Sequence, residues 1–150
     1  MKTYLAVVDE INKKFEQFKV LVLQETKQIE QMAQFQLTPQ QEMMMDYIIR
    51  HEPVRSNDIA LYLNISRSAV SQVLPILEEQ KMIDRRVNPS NRRESHIFLG
   101  SRGKEYERLL HEIDELLVRK YYSRVSIKDL EHVRDTLQRI VKEVKGDEEL

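Results

Sequence analysis

The densest set of hydrogen-bonding side chains in this sequence follows Ile65. It consists of short hydroxyls, one guanidinium and one carboxamide, namely Ser66, Arg67, Ser68, Ser71 and Gln72. No Asp or Glu occurs from Asn64 to Leu77. Arg can bond guanine and Gln can bond adenine through paired hydrogen bonds, whereas Ser tolerates several bases. On a helix, these residues would form a polar face suited to the major groove of DNA.

A second group of chemically relevant side chains lies in residues 81–104. This stretch holds seven basic and two acidic residues, a net charge of +5, although the whole chain carries −1. Its arginines before residue 100 are Arg85, Arg86, Arg92 and Arg93. Such segregation produces a local positive potential even in a nearly neutral protein, which favours phosphate contacts. A solvated loop with scattered arginines would have the same composition, so this stretch alone does not decide the function.

Two helices joined by a tight turn would position the first group. We predict a short helix over residues 57–63, capped by Ser56, and a second helix from Arg67 to about Gln80, capped by Ser66. Asn64 suits the turn because Asn tolerates the left-handed conformation. The second helix should continue through Pro75 with a kink. Its apolar face, which should pack against the first helix, consists of Val70, Val73, Leu74 and Leu77.

The arginines are predicted to lie on a β-hairpin. Residues 83–87 and 94–99 are rich in β-branched or aromatic residues, and residues 88–91 (Asn-Pro-Ser-Asn) have strong turn chemistry. The hairpin should therefore have a basic tip.

Long helices are predicted on both sides of this region. Residues 3–34 should form one helix with a heptad-spaced apolar seam of Tyr4, Val8, Ile11, Phe15, Phe18 and Val22. Thr38-Pro39 should begin another helix, ending at Glu52-Pro53. The last two should run from residue 100 or 101 to about 122, and from Ser126 onwards. The fold class is therefore mainly α with a small β-hairpin.

The order of these motifs resembles the MarR (multiple antibiotic resistance regulator) family. The resemblance rests on residues 59–71, on residues 77–83, and on the hairpin sequence 88–93 followed by Leu99 and Gly103. It covers nearly the whole chain. It implies a winged helix-turn-helix domain at residues 35–103, and a dimerisation region formed by residues 1–34 and 104–150.

The family resemblance also implies a function. The chain would be a homodimeric transcription regulator, and a repressor, that binds a pseudo-palindromic site on double-stranded DNA. Arg93 matches the wing arginine that enters the minor groove. Three positions depart from the family pattern: Asn91 replaces Asp, Gly100 replaces Thr, and Lys81 replaces Gly. Members often bind a small aromatic or anionic effector, for which Tyr47, His51 and Tyr62 are candidates. For these three residues, the alternative of a purely structural role is favoured.

Other classes of function find little support in the sequence. There is no Cys, the three Gly residues form no phosphate-binding loop, and the four His residues form no His-x3-His pair. We therefore expect no enzyme activity, no cofactor and no metal site. No apolar run is long enough to cross a membrane, and the N-terminus does not resemble a signal peptide, so we expect a cytoplasmic protein.

Two alternatives stay open at the level of sequence. A winged-helix module that binds proteins without binding DNA would carry an apolar patch where the polar face is predicted. A purely structural helical dimer would leave the arginine-tipped hairpin unexplained.

Overall fold

The computed structural model describes residues 1–145, and the side chains of residues 92–94 and 145 lie outside this description. The described chain forms helices and one antiparallel hairpin, which confirms the predicted fold class. Their order is α1 (Lys2–Leu23), α2 (Thr26–Ala33), α3 (Pro39–His51), α4 (Ser56–Leu63), α5 (Arg67–Glu79), β1 (Ile83–Asn88), β2 (Asn91–Leu99), α6 (Ser101–Lys120) and α7 (Ile127–Lys145), with a short 3-10 turn at Tyr122–Arg124.

The chain divides into two compact units, Met1–His111 and Glu112–Leu150. The core of the first unit is formed mainly by α3, α4, α5 and the hairpin. Its fully buried side chains are Met44, Met45, Ile48, Ile59, Val70, Leu74, Leu77, Met82 and Ile97. The sequence predicted a DNA-binding domain at residues 35–103 and a dimerisation region formed by the two flanking segments. Because a dimerisation region is defined by contacts between two chains, this division stays a prediction.

Local hydrogen bonds fix the N-terminal ends of α3 and α5 at the residues that the sequence predicted. Thr38 Oγ1 accepts from the Gln41 amide at 3.2 Å, and the Thr38 amide donates to Gln41 Oε1 at 2.9 Å. This reciprocal pair is a capping box. Ser66 Oγ accepts from the Ala69 amide at 3.0 Å, and Asn64 adopts the left-handed conformation with φ 52°. Helix α5 continues through Pro75.

The hairpin is longer than predicted and has a third partner. Pairing runs from Ile83 with Leu99 to Asn88 with Asn91, with an irregularity at Val87 and Asn88. Val54 forms an isolated antiparallel bridge with Ile97, which the sequence did not indicate. A single bridging residue has no alternating pattern of its own, so only the tertiary structure reveals it.

The C-terminal end of α5 and the N-terminal end of α6 approach each other closely. Lys81 adopts φ 59°, and its carbonyl oxygen accepts from the Arg102 amide at 3.0 Å. A Cβ placed on Gly100 would overlap the Lys81 carbonyl oxygen, and one on Gly103 would overlap that of Met82. A Thr at position 100 would meet the same obstacle, so glycine at this departure from the family pattern fits the local geometry.

Two predicted boundaries are wrong. The N-terminal helix is not continuous to residue 34, because Glu25 has φ −80° and ψ 60° and separates α1 from α2. Arg55, instead of Ser56, precedes the first turn of α4, and its amide donates to Asp58 Oδ2 at 3.1 Å. The carboxylate of Asp58 satisfies the helix start from within the helix, so no hydroxyl cap is needed.

The terminal helices leave their apolar side chains exposed. Helix α1 has no buried residue, and the seam residues Ile11 and Phe15 are 47% and 56% exposed. In the second unit, α7 likewise exposes Val133, Leu137, Ile140, Val141 and Val144. Within residues 1–145, no helix combines the length and the apolar character required to span a lipid bilayer.

Candidate nucleic-acid interface

The first two turns of α5 present the polar face predicted from the sequence. All five members of the set are exposed: Ser66, Arg67, Ser68, Ser71 and Gln72. Ser66 caps the helix, so its hydroxyl is partly committed to the Ala69 amide. The N-terminal end of a helix also carries partial positive charge, which favours phosphate nearby. The arrangement can therefore accept hydrogen bonds from base edges, donate to them, and approach the DNA backbone.

The opposite face of α5 is held by the core. Val70 and Leu77 are fully buried and Leu74 is 1% exposed, and they pack in the unit that also buries Ile59 of α4. Val73, which was predicted to join them, is only partly buried. Because one face is fixed by packing, the exposed face keeps a defined orientation.

Two of the four predicted wing arginines have partners within the hairpin region. Arg85 Nε lies 3.4 Å from Glu78 Oε2 at the end of α5. The Arg86 guanidinium carbon lies 4.3 Å from the centroid of the Phe98 ring, and its Nε lies 3.4 Å from Asp84 Oδ2. The Arg86–Asp84 pair is exposed, and exposed ion pairs contribute little to stability, so Arg86 can exchange this partner for phosphate. The Arg85 side chain is only 30% exposed, and its Nε is buried. Their role in DNA binding stays a prediction.

The other two arginines lie on β2 beside the hairpin turn. The backbone of residues 92 and 93 follows Asn91 in the strand, as the sequence predicted for a basic tip. The side chains of Arg92 and Arg93 lie outside the described residues. In the turn itself, Asn88 Oδ1 accepts from the Ser90 amide at 3.1 Å and from the Ser90 hydroxyl at 2.7 Å.

The three candidate effector residues form an aromatic stack. The ring centroids of Tyr47 and His51 are 4.5 Å apart, and those of Tyr47 and Tyr62 are 4.6 Å apart. His51 Nδ1 also lies 3.0 Å from the Tyr47 carbonyl oxygen. Partial burial, followed by the Asp58 carboxylate, raises the pKa of Tyr47. The stack links α3 to α4, which supports the structural role that the sequence left open for these residues.

Beside this stack is a cleft of about 450 Å³ between α3, the end of α4 and α6. Its apolar and aromatic walls are Pro39, Met43, Tyr62, Leu63, Tyr106 and Leu110. Two carboxylates, Glu42 and Asp46, complete the lining. Of the three predicted effector residues, Tyr62 lies in the cleft, whereas Tyr47 and His51 do not line it.

Sequence reasoning missed Glu42, Asp46 and Tyr106 as cleft residues. Glu42 and Asp46 are four residues apart and therefore share one face of α3, a signal available in the sequence. Tyr106 lies one turn before Leu109 and Leu110 on α6 and therefore shares their face of the helix. Among the residues whose side chains are described, no group of three or more His, Asp or Glu side chains could hold a metal ion.

A short helix, a tight turn, an exposed polar helix and an antiparallel wing together define a winged helix-turn-helix DNA-binding protein. Residues 35–94 match the family model described as MarR family. Among curated protein sequences, no significant match was found.

Solved structures of MepR from S. aureus share the fold. A mutant MepR from a multidrug-resistant clinical isolate has a TM-score of 0.61 and 26% identity, over 85% of this chain and 94% of that chain. A MepR–DNA complex has a TM-score of 0.57 and 22% identity, over 85% and 97%. MepR bound to ethidium bromide has a TM-score of 0.60 and 24% identity, over 85% and 93%. Residues 35–94 thus carry a MarR-family winged helix-turn-helix, and this match together with the shared fold supports a DNA-binding transcription regulator.

Proposed function

We propose that this chain is a homodimeric repressor that binds a pseudo-palindromic operator and is released from it by a small molecule. The observation that carries the proposal is the first half of α5. It exposes hydroxyl, guanidinium and carboxamide groups without any acidic residue, while its other face is buried. A protein-binding module would instead expose an apolar patch here.

The dimer is supported by the exposed apolar side chains of α1 and α7. These helices bury almost nothing within the chain, although apolar surface is more stable out of water. A two-fold symmetric dimer would present two copies of α5 and two wings on the same face of the dimer. The half-sites of the operator would then lie about one helical turn apart.

Release by a small molecule is supported by the cleft beside α4 and by the neighbouring structures. MepR has been solved both with DNA and with ethidium bromide. In this chain, Tyr62 of α4 lines the cleft, and α4 is the first helix of the helix-turn-helix. A molecule bound in the cleft would therefore contact the helix that packs against α5.

The test is selection of operators from a random DNA library. The parent should select a two-fold symmetric site, and Gln72→Ala should change the preferred base at one position in each half-site. The loss of affinity should be about 1–3 kcal/mol per lost paired contact. Gln138→Ala, which removes an exposed carboxamide on α7, is the matched control and should return the parental site. If Gln72→Ala also returns the parental site, Gln72 does not contact bases.

The wing is tested by Arg92→Ala and Arg93→Ala on selected operators with A·T-rich or G·C-rich flanks. If Arg93 enters the minor groove, its loss should weaken binding most on A·T-rich flanks, where the groove is narrow. Arg92→Ala should weaken binding to every sequence alike, as a lost phosphate contact does. Small, equal effects of both changes on all DNA would show that the hairpin is not a DNA-binding wing.

A further inference from the structure

The edge of β2 that faces away from β1 pairs with a very short third strand. The Val54 amide donates to the Ile97 carbonyl oxygen at 3.1 Å, and the Ile97 amide donates to the Val54 carbonyl oxygen at 2.8 Å. In an antiparallel ladder, the next pair that exchanges hydrogen bonds lies two residues further along each strand, here at positions 52 and 99. A continued third strand would therefore join Glu52 to Leu99.

At position 52, a side chain takes the place of the backbone. The backbone of Glu52 ends α3, where its amide donates to the Ile48 carbonyl oxygen at 2.9 Å. The side chain reaches β2 instead, and Glu52 Oε2 accepts from the Leu99 amide at 2.7 Å. Such a short distance is typical of a hydrogen bond to an ionised acceptor. Leu99 is only 4% exposed, so its amide would lose a partner that water does not readily replace.

The bonds at Val54 and Glu52 hold the base of the hairpin, far from its tip. Leu99 is the last residue of β2, and residue 93 lies six positions earlier, which is about 20 Å away at the spacing of a β-strand. A tilt of about 10° at the base would therefore move the tip by about 3 Å. Because the minor groove of DNA is only about 6 Å wide, such a displacement can withdraw a side chain from it.

We propose that Glu52 is a positioning residue for the wing. Its carboxylate holds the Leu99 amide and thereby sets the angle at which the hairpin leaves the core and meets DNA. The consequence for DNA rests on the proposed function of the hairpin as a wing, whereas the bond to Leu99 does not. The preference for A·T-rich flanks would then depend on a residue at the end of α3 that acts through the hairpin.

Charge and position predict opposite effects for the loss of this carboxylate. A carboxylate repels the phosphates of DNA, so its removal should strengthen binding slightly if only charge matters. If Glu52 positions the wing, its removal should weaken binding, and only where the wing contributes to affinity. The sign of the change therefore separates the two roles.

The bond itself is tested without DNA, by amide hydrogen exchange of the full chain followed by NMR. Glu52→Ala should speed exchange of the Leu99 amide at least about tenfold relative to the Leu74 amide in the core, because one hydrogen bond is lost. Glu52→Gln keeps an oxygen acceptor and should stay close to the parent. Glu105→Ala, which removes an exposed carboxylate from α6, is the control and should change nothing. Unchanged exchange at Leu99 in Glu52→Ala would overturn the proposal.

The effect on the wing is tested with operators that have A·T-rich or G·C-rich flanks. Glu52→Ala should weaken binding about tenfold on A·T-rich flanks and much less on G·C-rich flanks. The bases selected by α5 should stay the same. Glu52→Gln should restore most of the affinity, and Glu105→Ala should not weaken binding. Thermal melting of each variant shows that it is folded.

A double-mutant cycle with Arg93 shows whether Glu52 acts through the wing. In the Arg93→Ala background, Glu52→Ala should have almost no further effect on operator affinity, because the contact that it positions is already absent. Fully additive losses, equal losses on both flank types, or tighter binding of Glu52→Ala would each overturn the positioning role.

The failure of this proposal and the failure of the proposed function give different results. If the parent prefers A·T-rich flanks and Glu52→Ala keeps that preference, Glu52 does not position the wing, although the wing binds DNA. If the parent has no flank preference, the DNA-binding wing and its positioning residue are both rejected. Exchange at Leu99 then still reports whether Glu52 holds the strand.

Discussion

Helices α5 and α1 both carry an apolar stripe, but the two stripes have different surroundings. Val70, Leu74 and Leu77 of α5 are buried by the same chain, whereas α1 buries none of its 22 residues. Burial of apolar surface is the main stabilising term in folding, so the position of α5 is determined within one chain. The stripe of α1 is left for another surface to cover. Within one chain, the helix-turn-helix therefore has a buried apolar core, whereas α1 has none.

The largest expected effect comes from a charge placed in the α1 seam. Ile11→Glu should convert the proposed dimer into a monomer, because two unpaired carboxylates would be buried at the interface. Affinity for a two-fold symmetric operator should fall by at least about a hundredfold. Sedimentation at micromolar concentration, followed by operator titration, measures both quantities.

The control for this change is Gln17→Glu, which adds the same charge to an exposed position of α1 off the seam. It should leave the sedimentation coefficient and the operator affinity unchanged. If the Ile11→Glu variant sediments as the parent does, the α1 seam is not a dimer interface. The exposed stripe of α1 would then not be covered by a second chain.

A large-to-small change in α5 should give the next largest effect. Leu74→Ala should lower the free energy of unfolding by about 2–5 kcal/mol, because it leaves a cavity in the core. Chemical denaturation measures the loss, which should persist in the Ile11→Glu background if the core is completed within one chain. A loss seen only in the dimer would show that α5 also depends on the partner.

The close approach of α6 to the end of α5 is tested by Gly103→Ala. The added methyl would overlap the Met82 carbonyl oxygen, which belongs to the backbone and cannot swing away. We expect a loss of about 1–3 kcal/mol in the free energy of unfolding. Ser101→Ala, at an exposed position two residues earlier, should cost much less. Equal effects of the two changes would mean that this contact relaxes easily.

The smallest change in the free energy of unfolding is expected at Lys81, and it is the only one of these changes expected to be an increase. Its φ of 59° is strained for a side chain with a Cβ, whereas glycine adopts it freely. Lys81→Gly should therefore raise the free energy of unfolding by about 0.5–1 kcal/mol. Gln80→Gly, one residue earlier with φ −75°, should lower it instead. A destabilised Lys81→Gly variant would show that the Lys side chain makes a stabilising contact.

The candidate site was predicted from the sequence to different degrees in its two parts. The polar face of α5 follows from local chemistry, since Ser66 caps the helix and the apolar residues keep helical spacing. The cleft was missed because its lining combines α3 and α4 with α6, which is distant from both in the chain. Glu42 and Tyr106 are 64 positions apart, and neither has an unusual local sequence.

The sequence by itself determined the order of the helices, the turn at Asn64 and the hairpin at residues 83–99. These features depend on caps, turn residues and periodicity, which act over a few residues. The tertiary structure alone decided the bridge between Val54 and Ile97 and the burial of Tyr106 beside two carboxylates. Each of these depends on which distant segments come into contact, and a local pattern of residue types does not contain that information.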